Sequence, residues 1–199
     1  MRTEWTKEKL DAFSEEIAEI YKQGKIRAPI HLCGDNATQL IKIFELVDED
    51  DFIFSTWRSA FHWLLSGRSE EELKKQILEG HSMHVYGDRF FTSSIVGGIA
   101  PIAVGVALAL KMKRAKNKVF CFIGDMAAET GIVSESIKYS RRHDLPIIFV
   151  IENNFLSVKT KTQDVWGQFD RENSTRYDYK RIWNHAGCGK DGETSFILF

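Results

Sequence analysis

Two continuous apolar runs, each ending abruptly in polar residues, constrain the fold of this chain more than any other feature. The first run spans residues 118–123 and stops at a glycine and Asp125. The second spans residues 145–151 and is followed by an Asn-Asn pair that ends at Asn154. Neither run alternates between apolar and polar residues, which is typical of strands buried on both faces of a parallel sheet.

The segment between the two runs has the pattern of a helix. Ile132, Ser136 and Tyr139 recur at helical spacing, and three basic residues crowd the last turn, where cations suit the helix dipole. The sequence therefore predicts strand, helix, strand, with the two strands parallel. An α/β fold follows, with a mostly parallel sheet flanked by helices and with Asp125 and Asn154 at one edge of it.

Asp125 and Asn154 are residue types that bind a hard cation. Magnesium prefers oxygen donors in near-octahedral geometry and usually keeps phosphate oxygens and water among its ligands. After Asp125, the short side chains of Ala127 and Ala128 allow backbone N–H groups near the helix start to approach phosphate oxygens. These residues together predict a divalent-metal and diphosphate site.

The spacing of these residues resembles a known cofactor motif. Met126 and Asn153 are separated by 26 residues. The thiamine diphosphate motif likewise has Gly-Asp-Gly, a spacer of about this length, and then Asn-Asn. Met126 stands at the position of the second glycine.

Three upstream segments extend the resemblance in the same order. They are Thr-Trp-Arg at residues 56–58, Gly-His-Ser-Met-His-Val-Tyr at 80–86, and the glycine- and alanine-rich stretch at 94–109. With them, roughly residues 51–160 are similar to the alpha subunits of the thiamine-dependent first component (E1) of 2-oxo acid dehydrogenase complexes. The pyruvate, branched-chain and acetoin dehydrogenases belong to this group.

The resemblance implies roles for individual residues. Asp125, the side chain of Asn154 and the carbonyl of Leu156 would hold Mg²⁺. His84 would stand near the reacting carbon. The remaining contacts to thiamine diphosphate would come from the side chains or backbone of Trp57, Arg58, Met126 and Ala127 at the diphosphate, and of Ser94 and Val96 at the aminopyrimidine ring.

Three departures from the family pattern bear on these roles. Met126 is harmless if its position is helical, since only a backbone N–H is needed there. Ala60 stands two residues after Arg58, where the family usually has a histidine. His62 is then either a substitute for proton transfer or a half-buried structural histidine. Family alpha subunits continue well beyond the Asn-Asn motif, whereas this sequence stops at Phe199.

Composition limits the class of protein. The 199 residues, 43% of them apolar, are enough for one domain over residues 1–199, with a helical arm over about residues 1–30. The near balance of 27 basic and 28 acidic residues gives no sign of a nucleic-acid surface. Three cysteines without paired spacing, and the lack of a signal-peptide pattern or membrane-length apolar run, favour a soluble cytoplasmic protein.

Other elements follow from local patterns. Residues 8–21 have the spacing of an amphipathic helix, Asp35 is a candidate N-cap, and Ser69 with Glu72 forms a capping box for a helix through residue 78. His31 and His185 have no supporting neighbours and are interpreted as structural. We also expect a strand at 51–55, a cofactor-covering loop at 80–95, a helix at 96–113, an ordered polar loop at 157–176 and a short strand at 195–199.

The resemblance implies the diphosphate-binding, alpha-type subunit of a two-chain thiamine diphosphate enzyme. A separate beta-type chain, with a pyrimidine-binding domain, would supply the activating glutamate in an α2β2 heterotetramer. The reaction would cleave the bond next to the carbonyl of a 2-oxo acid, and the acyl unit would pass to a lipoyl-domain protein or to another acceptor.

Two alternatives stay open. One is a split transketolase-like subunit that transfers a two-carbon ketol unit, which Glu129-Thr130-Gly131 faintly resembles. The other is a non-catalytic scaffold or regulatory subunit, supported only by Met126 and Ala60.

Overall fold

A computed structural model of the chain describes residues 4–167 and 175–190. These residues fall into two compact units. The first contains residues 4–49, 57–87 and 180–190, and the second contains residues 50–56, 88–167 and 175–179. Whether residues 1–199 behave as one domain stays a prediction.

The described residues form helices and short strands, which are numbered here in chain order. They are α1 (Lys7–Lys22), α2 (Ala37–Phe44), β1 (Phe52–Ser55), α3 (Ala60–Leu65), α4 (Glu70–Leu78), β2 (Tyr86–Gly87), β3 (Phe90–Thr92), α5 (Ile99–Met112), β4 (Val119–Gly124), α6 (Asp125–Ala128), α7 (Gly131–Arg142), β5 (Ile147–Asn153), β6 (Leu156–Ser157), β7 (Thr160–Lys161), α8 (Thr162–Trp166) and β8 (Thr175–Asp178).

The second unit is built on a parallel sheet. Its strands lie in the order β3, β1, β4, β5, β8, and each neighbouring pair is parallel. The two apolar runs of the sequence are β4 and β5, with Gly124 of β4 opposite Glu152 of β5. The predicted α/β class, with a mostly parallel sheet flanked by helices, is therefore confirmed.

Helices α5 and α7 supply the core on one face of this sheet. Side chains alternate along a strand, so Val119, Cys121 and Ile123 share a face of β4. They belong to one buried cluster with Ala103 of α5 and Val133 of α7. The small residues of α5 permit this close packing, as the sequence predicts.

The first unit contains the N-terminal helix that the sequence predicts. The Thr6 hydroxyl accepts a hydrogen bond from the Lys9 N–H at 3.4 Å, which caps α1. Leu10, Phe13 and Ile17 are buried on one side of it. The Ser69 hydroxyl accepts from the Glu72 N–H at 3.1 Å, so the predicted cap of α4 is confirmed.

Two predicted helix starts are wrong. Asp35 does not cap α2, because its backbone has a φ of 63° and Asn36 occupies the capping position without a side-chain bond. Helix α5 begins at Ile99 instead of residue 96, because Gly97 has a φ of 73° and the chain turns there.

Two segments predicted to be loops contain short strands or a helix. The 80–95 segment contains β2 and β3, and β3 pairs with β1 in the sheet. The 157–176 segment contains β7 and α8, and β8 begins at its end. Residues 168–174 and the predicted strand at 195–199 lie outside the described residues. Among the helices of the described ranges, none has the length and apolar character that a membrane span requires.

Candidate functional site

Asp125 lies at the carboxyl end of β4, as the sequence predicts. It is the first residue of α6, and only 2% of it is exposed. Its carboxylate accepts a hydrogen bond from the Thr162 hydroxyl, and the backbone of Asn154 lies near enough to favour the ionised carboxylate. Asp125 and the start of the loop after β5 are therefore neighbours.

Burial is the main influence on the pKa of the Asp125 carboxyl group. Removal from water raises the pKa of this carboxyl above its usual range, and the bond from Thr162, the backbone of Asp125 and Asn154 and the charge of Arg176 only partly offset it. A nearby cation would stabilise the ionised carboxylate. A carboxylate in such surroundings is well suited to bind a metal ion.

The side chain of Asn154 is held at both ends of its amide. Its Nδ2 donates to the Tyr179 hydroxyl at 2.7 Å, and its Oδ1 accepts from the Leu156 N–H at 3.0 Å. Because the Leu156 N–H is only a donor, the atom that faces it must be the amide oxygen. The orientation of the Asn154 amide is therefore defined.

A short hairpin follows Asn154 and returns to Asp125. Phe155 has a φ of 62°, and β6 then pairs antiparallel with β7, Leu156 opposite Lys161. The Thr162 N–H donates to the Phe155 carbonyl at 3.1 Å. This closes the hairpin and places the Thr162 hydroxyl on the Asp125 carboxylate.

The three predicted metal ligands offer a donor set that suits a hard cation. Asp125 has a carboxylate, Asn154 an amide oxygen and Leu156 a backbone carbonyl, and magnesium binds such oxygen donors. Across residues 4–167 and 175–190, no three side chains among His, Cys, Asp and Glu are grouped as a metal site. The oxygen donors of Asp125, Asn154 and Leu156 fit one divalent ion that keeps phosphate or water ligands.

Met126 and Ala127 follow Asp125 within α6. Met126 is helical, so a methionine in place of the motif's glycine causes no backbone strain. Ser94 and the exposed Val96 lie just before α5, on the segment that turns at Gly97. Their roles at a cofactor stay predictions.

In the first unit, Arg58 is buried and bonded to the backbone. Its guanidinium donates to the Leu32 carbonyl and, at 3.0 Å, to the His185 carbonyl. A guanidinium has five N–H groups, so others are left for a phosphate. The predicted diphosphate contacts of Arg58 and the half-buried Trp57 stay predictions.

Two histidines that the sequence analysis interprets as structural, His31 and His185, lie together beside Trp57. The rings of His31 and His185 lie 5.1 Å apart, and they lie 5.9 Å and 6.3 Å from the Trp57 ring, respectively. Residues 30–31 meet Gly187, whose N–H donates to the Ile30 carbonyl at 2.8 Å. No local sequence pattern predicts this cluster, because its members come from three separate segments of the chain.

The environment keeps both histidines neutral. Burial, reinforced by the nearby charge of Arg58, lowers the pKa of His31 to about 3. Burial is also the main cause that lowers the pKa of His185, and the charges of Arg58 and Arg181 add to it. The His31 Nδ1 atom is buried and has no hydrogen-bond partner among the described residues.

The two predicted catalytic histidines lie in different surroundings within the first unit. His62 of α3 is 0% exposed, and its ring meets Phe44 edge-on at 6.1 Å. That position favours the structural interpretation of His62. His84 is exposed, in a turn where its N–H donates to the His81 carbonyl at 2.9 Å. The catalytic roles of both histidines stay predictions.

Comparison with known proteins identifies a family. Residues 6–167 match the family model described as the dehydrogenase E1 component. The type I pyruvate dehydrogenase E1 alpha subunit of Ascaris suum is 30% identical over 145 residues, which are 68% of this chain and 37% of that protein.

Bacterial proteins give similar matches. The pyruvate dehydrogenase E1 alpha subunit of Rickettsia prowazekii is 28% identical over 76% of this chain and 50% of its own length. The alpha subunit of the acetoin:2,6-dichlorophenolindophenol oxidoreductase of Bacillus subtilis is 29% identical over 71% of this chain and 46% of its own length. The chain thus spans half or less of the length of these relatives.

Proposed function

The chain belongs to the dehydrogenase E1 component family, and from that premise we propose that it is the alpha-type subunit of a two-chain enzyme dependent on thiamine diphosphate. It binds the metal and the diphosphate. The reaction is cleavage of the bond next to the carbonyl of a 2-oxo acid, followed by transfer of the acyl unit. The relatives named as pyruvate dehydrogenases support this class of substrate.

One observation carries the proposal. Asp125 and Asn154, which follow two neighbouring parallel strands, lie together at the carboxyl edge of the sheet, where the backbone of Asn154 favours the ionised form of the Asp125 carboxylate. A buried carboxylate and an oriented amide oxygen form half of an octahedral shell when the Leu156 carbonyl joins them. Around Mg²⁺, diphosphate oxygens and water would supply the other ligands of such a shell.

The remaining residues have supporting roles in this proposal. Thiamine diphosphate, when bound, supplies a nucleophilic carbon for attack on the substrate carbonyl. The backbone N–H groups of Met126 and Ala127 bind the diphosphate. Ser94 and Val96 orient the aminopyrimidine ring through main-chain atoms.

The proposal requires a second chain. A beta-type subunit with a pyrimidine-binding domain would supply the glutamate that activates the cofactor, in an α2β2 assembly. The acyl acceptor is then the lipoyl arm of a lipoyl-domain protein or another small molecule. A gene for such a beta-type chain, present beside the gene for this one, would support the assembly.

The direct test is calorimetric titration of thiamine diphosphate with Mg²⁺ into the full chain, alone and after co-expression with the candidate beta-type chain. We expect tight binding in the pair and its loss in Asp125→Ala, because the buried metal ligand is removed. Asp125→Asn keeps the shape of the side chain and separates charge from packing. Glu135→Ala, an exposed change on α7, is the matched control and should bind normally.

The outcomes separate the candidate functions. Binding that is unchanged in Asp125→Ala would overturn the metal assignment. Binding in neither the chain nor the pair would favour the scaffold alternative. If the pair binds, turnover of 2-oxo acids but not of ketose phosphates distinguishes the dehydrogenase from the transketolase-like subunit, which the matched family does not favour.

A further inference from the structure

Three consecutive side chains at the end of β5 form hydrogen bonds with three consecutive side chains at the end of β8. Glu152 accepts from the Tyr177 hydroxyl, Asn153 donates to Asp178 at 2.6 Å, and Asn154 donates to the Tyr179 hydroxyl at 2.7 Å. The first two of these pairs are also register partners of the parallel strands. The third continues the same offset beyond β8.

These hydrogen bonds lie on both faces of the sheet. Because side chains alternate, Glu152 and Asn154 point to one face and Asn153 to the other. Tyr177 and Tyr179 therefore lie on the face of Asn154, and their rings are 5.9 Å apart. The Tyr179 hydroxyl bonds to Asn154, the residue proposed as a metal ligand, and the Tyr177 hydroxyl bonds to Glu152.

Two hydrogen bonds together fix the Asn154 amide. The Leu156 N–H, which can only donate, selects the oxygen as the atom that faces it, and the Tyr179 hydroxyl holds the other end of the amide in place. A turned amide would present its NH₂ group, which cannot bind a cation. Groups that orient a metal ligand in this way typically affect metal affinity strongly.

We propose that Tyr179 is a positioning residue that holds the Asn154 amide in the orientation set by the Leu156 N–H, so that its oxygen is available to a metal. The inference rests on the proposed function, because it needs Asn154 to be a metal ligand. Tyr179 lies outside residues 6–167, the part of the chain that matches the family. The support for the metal ligand thus comes from a segment beyond the family match.

The test uses Mn²⁺ as the probe, with thiamine diphosphate and the full chain in complex with its beta-type partner. Electron paramagnetic resonance counts free Mn²⁺ and gives its affinity. We expect Tyr179→Phe to weaken Mn²⁺ binding by about 10-fold or more, the usual effect of removing a group that orients a ligand. Tyr177→Phe removes the neighbouring hydroxyl on the same face and should leave the affinity unchanged.

A double substitution distinguishes positioning from a general loosening of the sheet. In an Asn154→Ala background, Tyr179→Phe should cause no further loss of Mn²⁺ affinity, because the amide that it orients is gone. A merely structural effect would persist there. Urea unfolding of each variant shows whether the fold is retained.

Each result has one meaning. Equal Mn²⁺ affinity in wild type and Tyr179→Phe overturns this inference alone, and so does an effect of Tyr179→Phe that persists without Asn154. Failure of the wild-type complex to bind Mn²⁺ with thiamine diphosphate overturns the proposed function as well.

Discussion

At the residue scale, His31 shows how the surroundings decide the charge of a side chain. Its ring lies beside His185 and Trp57 in the first unit, and the charged Arg58 is close. Burial and these neighbours disfavour the imidazolium form. A neutral His31 next to a cationic Arg58 is therefore a structural requirement of the first unit.

This requirement predicts a dependence of stability on pH. The folded chain keeps His31 neutral down to a pKa of about 3, whereas the unfolded chain takes up a proton near its ordinary value of 6.5. The unfolded state binds more protons in this window, so the free energy of unfolding should fall as the pH drops from 6.5 toward 3. His31→Gln should flatten this fall, as measured by urea unfolding at several pH values.

A matched substitution controls for the loss of any histidine. His81 is exposed, and His81→Gln should leave the slope of the wild type unchanged. If the His31→Gln and wild-type slopes were the same, His31 would not be the group that titrates.

The same scale shows what a sequence can and cannot predict about a site. Asp125 and Asn154 were predictable because each follows a buried strand, and parallel strands end at one edge of a sheet. Thr162 and Tyr179, which bond to them, were not predictable. Their hydrogen bonds depend on how distant segments fold back, which leaves no local pattern.

At the element scale, two glycines around α5 have opposite consequences. Gly97 has a φ of 73°, and a Cβ there would lie 2.7 Å from a methyl carbon of Ile132 and 2.9 Å from the Thr130 hydroxyl. Gly105 lies inside α5, and a Cβ there would meet no atom within 4 Å. The turn before the helix needs its glycine, and the helix does not.

Alanine substitutions should therefore differ in sign. Gly97→Ala should lower the free energy of unfolding by about 1–2 kcal/mol from the left-handed backbone alone, and the contacts with Ile132 and Thr130 add to this cost. Gly105→Ala should raise it by about 0.5–1 kcal/mol, since alanine favours a helix. Urea unfolding measures both, and a stabilised Gly97→Ala would contradict the described turn.

Length and burial explain which elements local patterns predict. Helix α1 has one buried side, so its period is visible in the sequence. Helix α3 is buried at residues 61–65 on all sides and shows no such period, and β3 has only three residues. The start of α5 was misplaced because apolar residues continue through the turn at Gly97.

At the scale of the whole molecule, the two units are built from interleaved segments of the chain. The first unit needs residues 180–190, which return to it after the second unit. Within that segment, His185 provides a carbonyl for Arg58 and Gly187 provides an N–H for Ile30. Trp183 and Cys188 are buried there.

Truncation tests this dependence. A chain that ends at Tyr179 should lose hydrogen-exchange protection in α1 more than in β4, because residues 180–190 pack and hydrogen-bond within the first unit. A chain that ends at Lys190 retains those contacts and is the control. Equal loss of protection in α1 and β4 would show that residues 180–190 do not belong to the first unit alone.

The interleaving also affects biosynthesis. During translation, domains generally fold from the N-terminus onward. Here every described segment of the second unit has been synthesised once Tyr179 emerges, whereas the first unit still lacks residues 180–190. The unit that the ribosome begins first is thus completed last, and a chaperone that holds the nascent chain would meet an unfinished first unit together with a complete second one.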